Sequence, residues 1–160
     1  MTNIQSSVNY YTTHMQSGMM QEAYQAIMKS FVSIKQAMIK KDPFIKVGAL
    51  YQGYLDMSYL PLTSPNLAAH QLKIAIVYLH KEARFEAWLS ATNRLVQAKM
   101  IHRLKALDLG KYTLSKPAPG VDSIVAFTLV KSPNFDQMSE LQSSIVAPVQ
   151  EFMQWLEDIL

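Results

Sequence analysis

The sequence predicts an α+β fold in which helices pack on an antiparallel sheet. Two segments with helical stripes of apolar residues, one near each end, flank a middle section rich in β-branched and aromatic residues. Three strand-like segments follow one another in that section and are joined by short connections. Because such strands usually pair side by side in opposite directions, they predict a three-stranded meander.

The first part of the chain predicts two helices. A short polar helix is expected over about 5–17, before Gly18. The segment 19–40 has apolar residues at spacings of three and four, which indicate one buried stripe on a helix. The stripe consists of Met20, Ala23, Tyr24, Ile27, Phe31, Ile34 and Met38. Asp42-Pro43 ends this helix, because the residue before proline disfavours the helical conformation.

Segments 47–60, 72–79 and 84–89 predict the three strands. The first is rich in Tyr and Leu and reads as one long bent strand or a tight hairpin, closed by Pro61. Thr63-Ser64-Pro65-Asn66 predicts a loop. The second and third are the clearest strands and are separated by Lys81-Glu82-Ala83.

The register of the 72–89 hairpin decides which residues share a face. Alternation puts Arg84, Glu86 and Trp88 on one face and Phe85, Ala87 and Leu89 on the other. A three-residue turn would pair Tyr78 with Glu86. Three more apolar residues would then join the helix-covered face: Ala75, Val77 and Leu79. A two-residue turn would flip the pairing, so both registers stay open.

The remaining elements are a helix, a strand and a helix. Thr92 is the predicted cap of a helix that runs to about Leu107 and is stopped by Gly110. This crossover helix leads to a fourth strand at 121–130, which could lie parallel to one of the others. The last helix is expected to begin near Asp136, with a kink at Pro148.

Composition excludes several kinds of protein. The chain has 160 residues, of which 49% are hydrophobic and 17% charged, so it fits a single domain (1–160) with a packed core. It has no cysteine, which excludes disulfides and thiolate metal sites. Met1 to Gly18 has neither a basic start nor a continuous apolar stretch. We therefore expect no signal peptide, no membrane anchor and a cytoplasmic location.

Charge is distributed unevenly. Segment 94–120 has six basic residues and only Asp108 as an acid, whereas 121–160 has six acids and only Lys131 as a base. The two segments could lie near each other and compensate, or the basic one could bind an anionic partner. The sequence favours the first interpretation, because the net charge of +3 is small.

Catalytic and cofactor motifs are not found. The four histidines (His14, His70, His80 and His102) do not have the spacing of metal ligands, and the chain has no Gly-x-Ser-x-Gly, Gly-x-Gly-x-x-Gly or P-loop sequence. We therefore expect no cofactor and no metal.

Three strings carry a resemblance to a known family: 53–59 (GYLDMSY), 72–77 (LKIAIV) and 84–89 (RFEAWL). They resemble an uncharacterised bacterial family catalogued as a domain of unknown function. Asn93-Arg94 and Gln97 follow the third and most specific string. The resemblance implies one bacterial cytosolic domain and carries no activity.

A second resemblance concerns the order of elements. Helix, three antiparallel strands, helix and strand is similar to the core of restriction-endonuclease-like proteins, which hold Mg²⁺ with an acid and a Glu-x-Lys pair. Here Glu86 would be one ligand, Trp88 stands where the lysine is expected, and Asp56 lies on the first strand. Lys99 could replace the lysine only if the chain folds it back to the site.

These observations support two hypotheses. The first is a non-enzymatic domain that binds a ligand or a protein partner at seven residues: Tyr78, Arg84, Glu86, Trp88, Asn93, Arg94 and Gln97. A homodimer through the methionine-rich helix of 19–40 or through the last helix belongs to it, because both carry extra apolar residues beside the main stripe (Phe44 and Trp155). The alternative is a nucleic-acid-binding or nuclease-like domain with a Mg²⁺ site, for which Asp56, Glu86 and Lys99 are the catalytic candidates. In it Asp56 and Glu86 would hold the metal, while Lys99 and Arg103 would bind phosphate. A solvated Arg-Glu pair, and an Asp56 that marks a turn, are the simpler interpretations of the same residues.

Overall fold

The computed structural model describes residues 3–160. In this range the chain forms five helices and five strands, and the predicted α+β class is confirmed. They are α1 (Ile4–Gln16), α2 (Met19–Lys41), β1 (Lys46–Val47), β2 (Met57–Thr63), α3 (Pro65–Ala69), β3 (Leu72–Leu79), β4 (Arg84–Ala91), α4 (Arg94–Lys105), β5 (Ser123–Val130) and α5 (Met138–Ile159). The sheet is antiparallel throughout, in the order β1-β2-β3-β4-β5.

The two faces of the sheet differ in what covers them. One face, the core face, packs against α2 and α5; Phe31 of α2 meets Phe85 of β4 edge to face, with ring centroids 5.6 Å apart. Every second residue of β3 and β4 belongs to this core: Ile74, Ile76 and Tyr78, with Phe85, Ala87 and Leu89. Full burial of each large side chain contributes about 1.5–3 kcal/mol. The other face, which bears Tyr59, Lys73 and Trp88, we call the open face.

The observed register is the flipped pairing that the sequence leaves open, although the turn is longer than either predicted one. Leu79 pairs with Arg84 and Tyr78 with Phe85, so the turn comprises the four residues 80–83. Ala83 closes the turn with a φ of 53°, in the left-handed region. The prediction that Tyr78 pairs with Glu86 was therefore wrong. Ala75, Val77 and Leu79 consequently lie on the open face, because a one-residue slip moves every side chain to the other side.

The first predicted strand is shorter and lies further along the chain. β2 spans Met57–Thr63 and includes Pro61, which was expected to end it. The Pro61 carbonyl accepts from the Gly48 amide, so the missing N–H of Pro61 points toward β1, which has already ended there. Proline therefore removes no hydrogen bond between β2 and β3. The extra strand β1 raises the number of strands from the predicted four to five within residues 3–160.

The ends of α3 and α4 differ from the prediction in three respects. Ser64 does not lie in a loop but caps α3, accepting from the Leu67 amide. Asn93, rather than Thr92, caps α4, because its side chain accepts from the Val96 amide. The helix ends at Lys105, before the predicted stop at Gly110.

The last strand does not have the parallel direction that the sequence allowed. β5 pairs antiparallel with β4, since Ser123 at its start lies opposite Ser90 near the end of β4. The α4 segment therefore returns to the end of the sheet from which it left, and it is not a crossover between parallel strands. α5 begins at Met138, close to the predicted start near Asp136, and Pro148 lies inside it.

Oppositely charged segments meet, as the small net charge suggested. Lys111 pairs with Glu151 of α5 at 2.6 Å, and Arg94 pairs with Asp122 at 3.0 Å. Arg103 donates to the carbonyl oxygens of Ile159 and Leu160 at the end of α5. Three of the six basic residues of segment 94–120 are thus engaged within the chain. No helix in residues 3–160 has the length and apolar character needed to cross a membrane.

Candidate functional site

A cleft of about 380 Å³ lies on the open face, beside Trp88. Trp88 is flanked across the sheet by Ala75 of β3 and Ala126 of β5, and these small side chains leave space next to the indole. Ala75 and Val77 form the apolar floor, while Tyr59 of β2 and residues at the start of α4 form the walls. The cleft thus combines an aromatic surface with polar groups at one end, as ligand sites usually do.

Trp88 is held in place from one side. Its Nε1–H donates to Oε1 of Glu86 at 2.9 Å, and Nε of Arg84 donates to Oε2 of the same carboxylate at 2.6 Å. Glu86 is 8% exposed, and both of its carboxylate oxygens accept hydrogen bonds in this largely buried position. Charge-assisted hydrogen bonds of this kind are the stronger ones in proteins. The indole is therefore preorganised before any ligand arrives.

Two cations lie at the polar end of the cleft. Lys73 projects from β3 opposite Ser90 and is exposed; it takes part in none of the ion pairs found in residues 3–160. Arg94, at the first turn of α4, donates to Asp122, to the Val121 carbonyl and to Gln97. The positive charge of Arg94 is thus partly balanced, whereas that of Lys73 is not.

Four of the seven predicted binding residues line this cleft: Trp88, Asn93, Arg94 and Gln97. Arg84 and Glu86 support Trp88 from beside it. Tyr78 lies on the opposite face, where it is 6% exposed and packs on Phe85 and Phe135. Burial raises the pKa of Tyr78.

Sequence reasoning missed Lys73, Tyr59, Ser90 and Asp122 as lining residues. Lys73 had a visible signal, since it is the one charged residue in the strand Leu72–Leu79. Its position at the cleft could be read only once the register was known.

A second polar cluster surrounds His80, at the far end of β3. Its Nε2 lies 2.8 Å from Oγ of Ser58. Its ring stacks on that of Tyr24 of α2, with ring centroids 6.2 Å apart. The Ser58 hydroxyl and the Tyr24 hydroxyl both donate to the Gln52 carbonyl. Since Ser58 has one proton to give, His80 Nε2–H must donate to Ser58.

Asp56 adds a negative charge near His80. Hydrogen bonds from the backbone N–H of Met57, and then of Tyr54, lower the pKa of Asp56. Burial lowers the pKa of His80, and the charge of Asp56 opposes that shift. Ser58 is completely buried, so this cluster anchors the 48–56 segment to α2 and β3 and does not expose a nucleophile.

The three catalytic candidates lie apart. Asp56 is beside His80 on the α2 side of the sheet, whereas Glu86 is on the open face. Lys99 lines a shallow groove with His70 and Gln71, at the other end of β3. An eight-residue strand spans roughly 25 Å, so Lys99 and Asp56 cannot share a ligand. In the part of the chain that the structure describes, no group of three His, Cys, Asp or Glu residues could hold a metal ion.

Comparisons with known proteins agree with the family resemblance in the sequence. No curated protein matches the chain, and no solved structure matches it. Neither search, therefore, supports the similarity to restriction-endonuclease-like proteins. One family model, described as Domain of unknown function (DUF7000), matches residues 4–160, which include the whole sheet and the cleft. The chain belongs to the family Domain of unknown function (DUF7000).

Proposed function

We propose that this chain is a cytoplasmic binding domain that holds a small organic anion with a flat apolar part in the cleft beside Trp88. The observation that carries the proposal is the combination, in one cleft, of a fixed indole with the ammonium group of Lys73, which pairs with no acid of residues 3–160. The apolar part of the ligand would lie on the indole and on Ala75. Its anionic group would accept from Lys73, with Arg94 as a second donor.

The polarity of the cleft supports an anion over a cation. Lys73 and Arg94 line it together with one carboxylate, Asp122, which is already paired with Arg94 at 3.0 Å. The Glu86 carboxylate is neutralised by Arg84. A cationic ligand would thus meet a net positive field, while an anion would be attracted.

The test uses NMR of protein in which the tryptophan indoles carry ¹⁵N. There are two tryptophans, and Trp155 lies in a separate aromatic cluster with Tyr112 and Phe152, so it serves as an internal control. The probe is 2-naphthoate, compared with its neutral analogue 2-naphthamide. We expect naphthoate to shift the Trp88 indole signal and not that of Trp155, and naphthamide to bind about tenfold more weakly, as loss of a charged partner predicts.

Variants separate the cleft from nonspecific binding. Lys73→Met should weaken naphthoate binding by about three- to tenfold. Lys81→Met, in the exposed turn after β3, is the matched control and should leave binding unchanged. An unshifted Trp88 signal, or equal binding of both probes, would contradict the proposal.

A further inference from the structure

The α1 helix is the most exposed of the long helices, and Met15 near its end is its one half-buried residue. It has 13 residues and no buried side chain. Four of its apolar residues form one stripe, the α1 ridge, made of Ile4, Val8, Tyr11 and Met15. Tyr10 lies off this stripe and packs on His14, with ring centroids 4.0 Å apart. Ile4 is 81% exposed, Val8 47% and Tyr11 55%. An isolated helix of about 12–15 residues is marginal in water, so a partner that covered the ridge would stabilise α1.

An apolar groove begins where the ridge ends. This α2 groove has a volume of about 390 Å³ and is lined by Met15, Met20, Ala23, Tyr24, Ile27 and Leu55, among others. The described residues that line it include no Asp, Glu, Lys or Arg. Met15 belongs to both the ridge and the groove, so the two form one continuous surface.

The composition of this surface is that of an interface between protein chains. Segment 4–27 contains one Asp, Glu, Lys or Arg residue, Glu22, although such residues make up 17% of the whole chain. Depletion of charge with enrichment of Met and Tyr is typical of the centre of protein interfaces. A helix that binds membranes usually carries Lys or Arg on its polar face, and α1 carries none.

We propose that two copies of this chain form a two-fold dimer in which the α1 ridge of each lies in the α2 groove of the other. A two-fold contact requires one surface that is complementary to itself. The ridge and the groove are contiguous, uncharged and of matching apolar character, which meets this requirement. The dimer does not depend on the ligand cleft, which lies on the open face of the sheet.

Sedimentation velocity of the full chain from micromolar to submillimolar concentration tests the dimer. The expected species has twice the monomer mass of 18.1 kDa. Val8→Lys in the ridge and Ala23→Glu in the groove should each raise the dimer dissociation constant by about 100-fold. Circular dichroism should show both variants folded, since neither residue is buried.

A mixture of the two variants gives the sharper result. In a mixed pair, one ridge–groove contact is entirely wild type and the other places the introduced lysine next to the introduced glutamate, so dimers should reappear. Val32→Lys is the matched control, because Val32 is 50% exposed on α2 and lies outside the groove. A wild-type monomer at every concentration would overturn the proposal, as would loss of the dimer in Val32→Lys or no recovery in the mixture.

Discussion

At the scale of single residues, His80 connects three parts of the fold. Its ring contacts Ser58 of β2 and Tyr24 of α2, and its backbone amide donates to the Asp56 carbonyl. Neutral His80 fits this setting, because burial lowers its pKa below the ordinary value of 6.5. When pH falls, the unfolded chain takes up the proton before the folded chain does.

The free energy of unfolding should therefore decrease as pH falls from about 7 through the region just below 6.5, and then level off. Asp56 acts in a separate window. Its pKa is lower in the folded chain than the ordinary value of 3.8, so ionised Asp56 stabilises the fold above pH 3.8. This contribution is lost as the pH falls below that value. Urea unfolding at a series of pH values measures both effects.

His80→Gln should remove the pH dependence of the free energy of unfolding near pH 6.5 and leave that of Asp56 unchanged. The glutamine amide can still donate to Ser58, but it does not titrate. His102→Gln, at an exposed position of α4, is the control. An unchanged slope in His80→Gln would show that another group causes the pH dependence.

At the scale of elements, capping decides where α4 begins. Thr92 and Asn93 are neighbours and both can cap a helix, asparagine being the better of the two, but only Asn93 accepts from the Val96 amide, at 2.9 Å. The Thr92 backbone amide instead donates to Gln71, which keeps this residue in the sheet region. The sequence therefore located the helix start within one position, but the predicted cap, Thr92, was wrong by one residue.

Asn93→Ala should destabilise the protein by about 1 kcal/mol, through loss of the cap. Thr92→Ala, the matched control, should change the free energy of unfolding much less. Chemical denaturation of both variants measures the difference. An equal effect of the two substitutions would show that Asn93 does not cap α4 in solution.

Strands were harder to locate than helices, for a physical reason. The α2 stripe repeats over several turns and is a local property, so the predicted 19–40 agrees closely with Met19–Lys41. A strand such as β1 has two residues and exists because β2 lies beside it. Pro61 indicated locally that the strand ends, because proline has no N–H to donate. Whether that N–H is missed depends on whether a paired strand lies on the same side, and β1 has already ended there.

At the scale of the whole molecule, one core joins the elements. Buried residues from α2, α4 and α5 and from β2–β5 belong to one cluster. The two tryptophans report from different places: Trp88 from the open face of β4, and Trp155 from α5 beside Tyr112. The single domain predicted from chain length should thus unfold as one cooperative unit.

Trp88→Phe and Trp155→Phe leave one fluorescent indole each, and both urea transitions should coincide with the loss of helical circular dichroism. Each substitution shifts the midpoint somewhat, so the comparison is made within each variant. Separate transitions for fluorescence and circular dichroism would show that the sheet and the α5 region unfold independently.

The candidate site was only partly predictable for the same reason as the strands. Trp88, Arg94 and Gln97 were identified because they follow one another closely in the chain. Lys73 joins them from another strand, and Tyr78 was assigned to the site because the predicted register was shifted by one residue. Side-chain alternation fixes which residues of one strand share a face, but it does not fix which face the next strand presents.

The sequence by itself determined the α+β class, the main helices and the two central strands, because periodicity, capping and turn residues act over a few neighbours. Tertiary structure alone decided the four-residue turn at 80–83 and the direction of β5. It also decided that Lys73 and Trp88 line the same cleft. It also decided that Asp56 and Glu86 lie on opposite sides of the sheet. Each of these depends on pairing between distant segments, which is selected by the burial of the whole core and not by any local pattern.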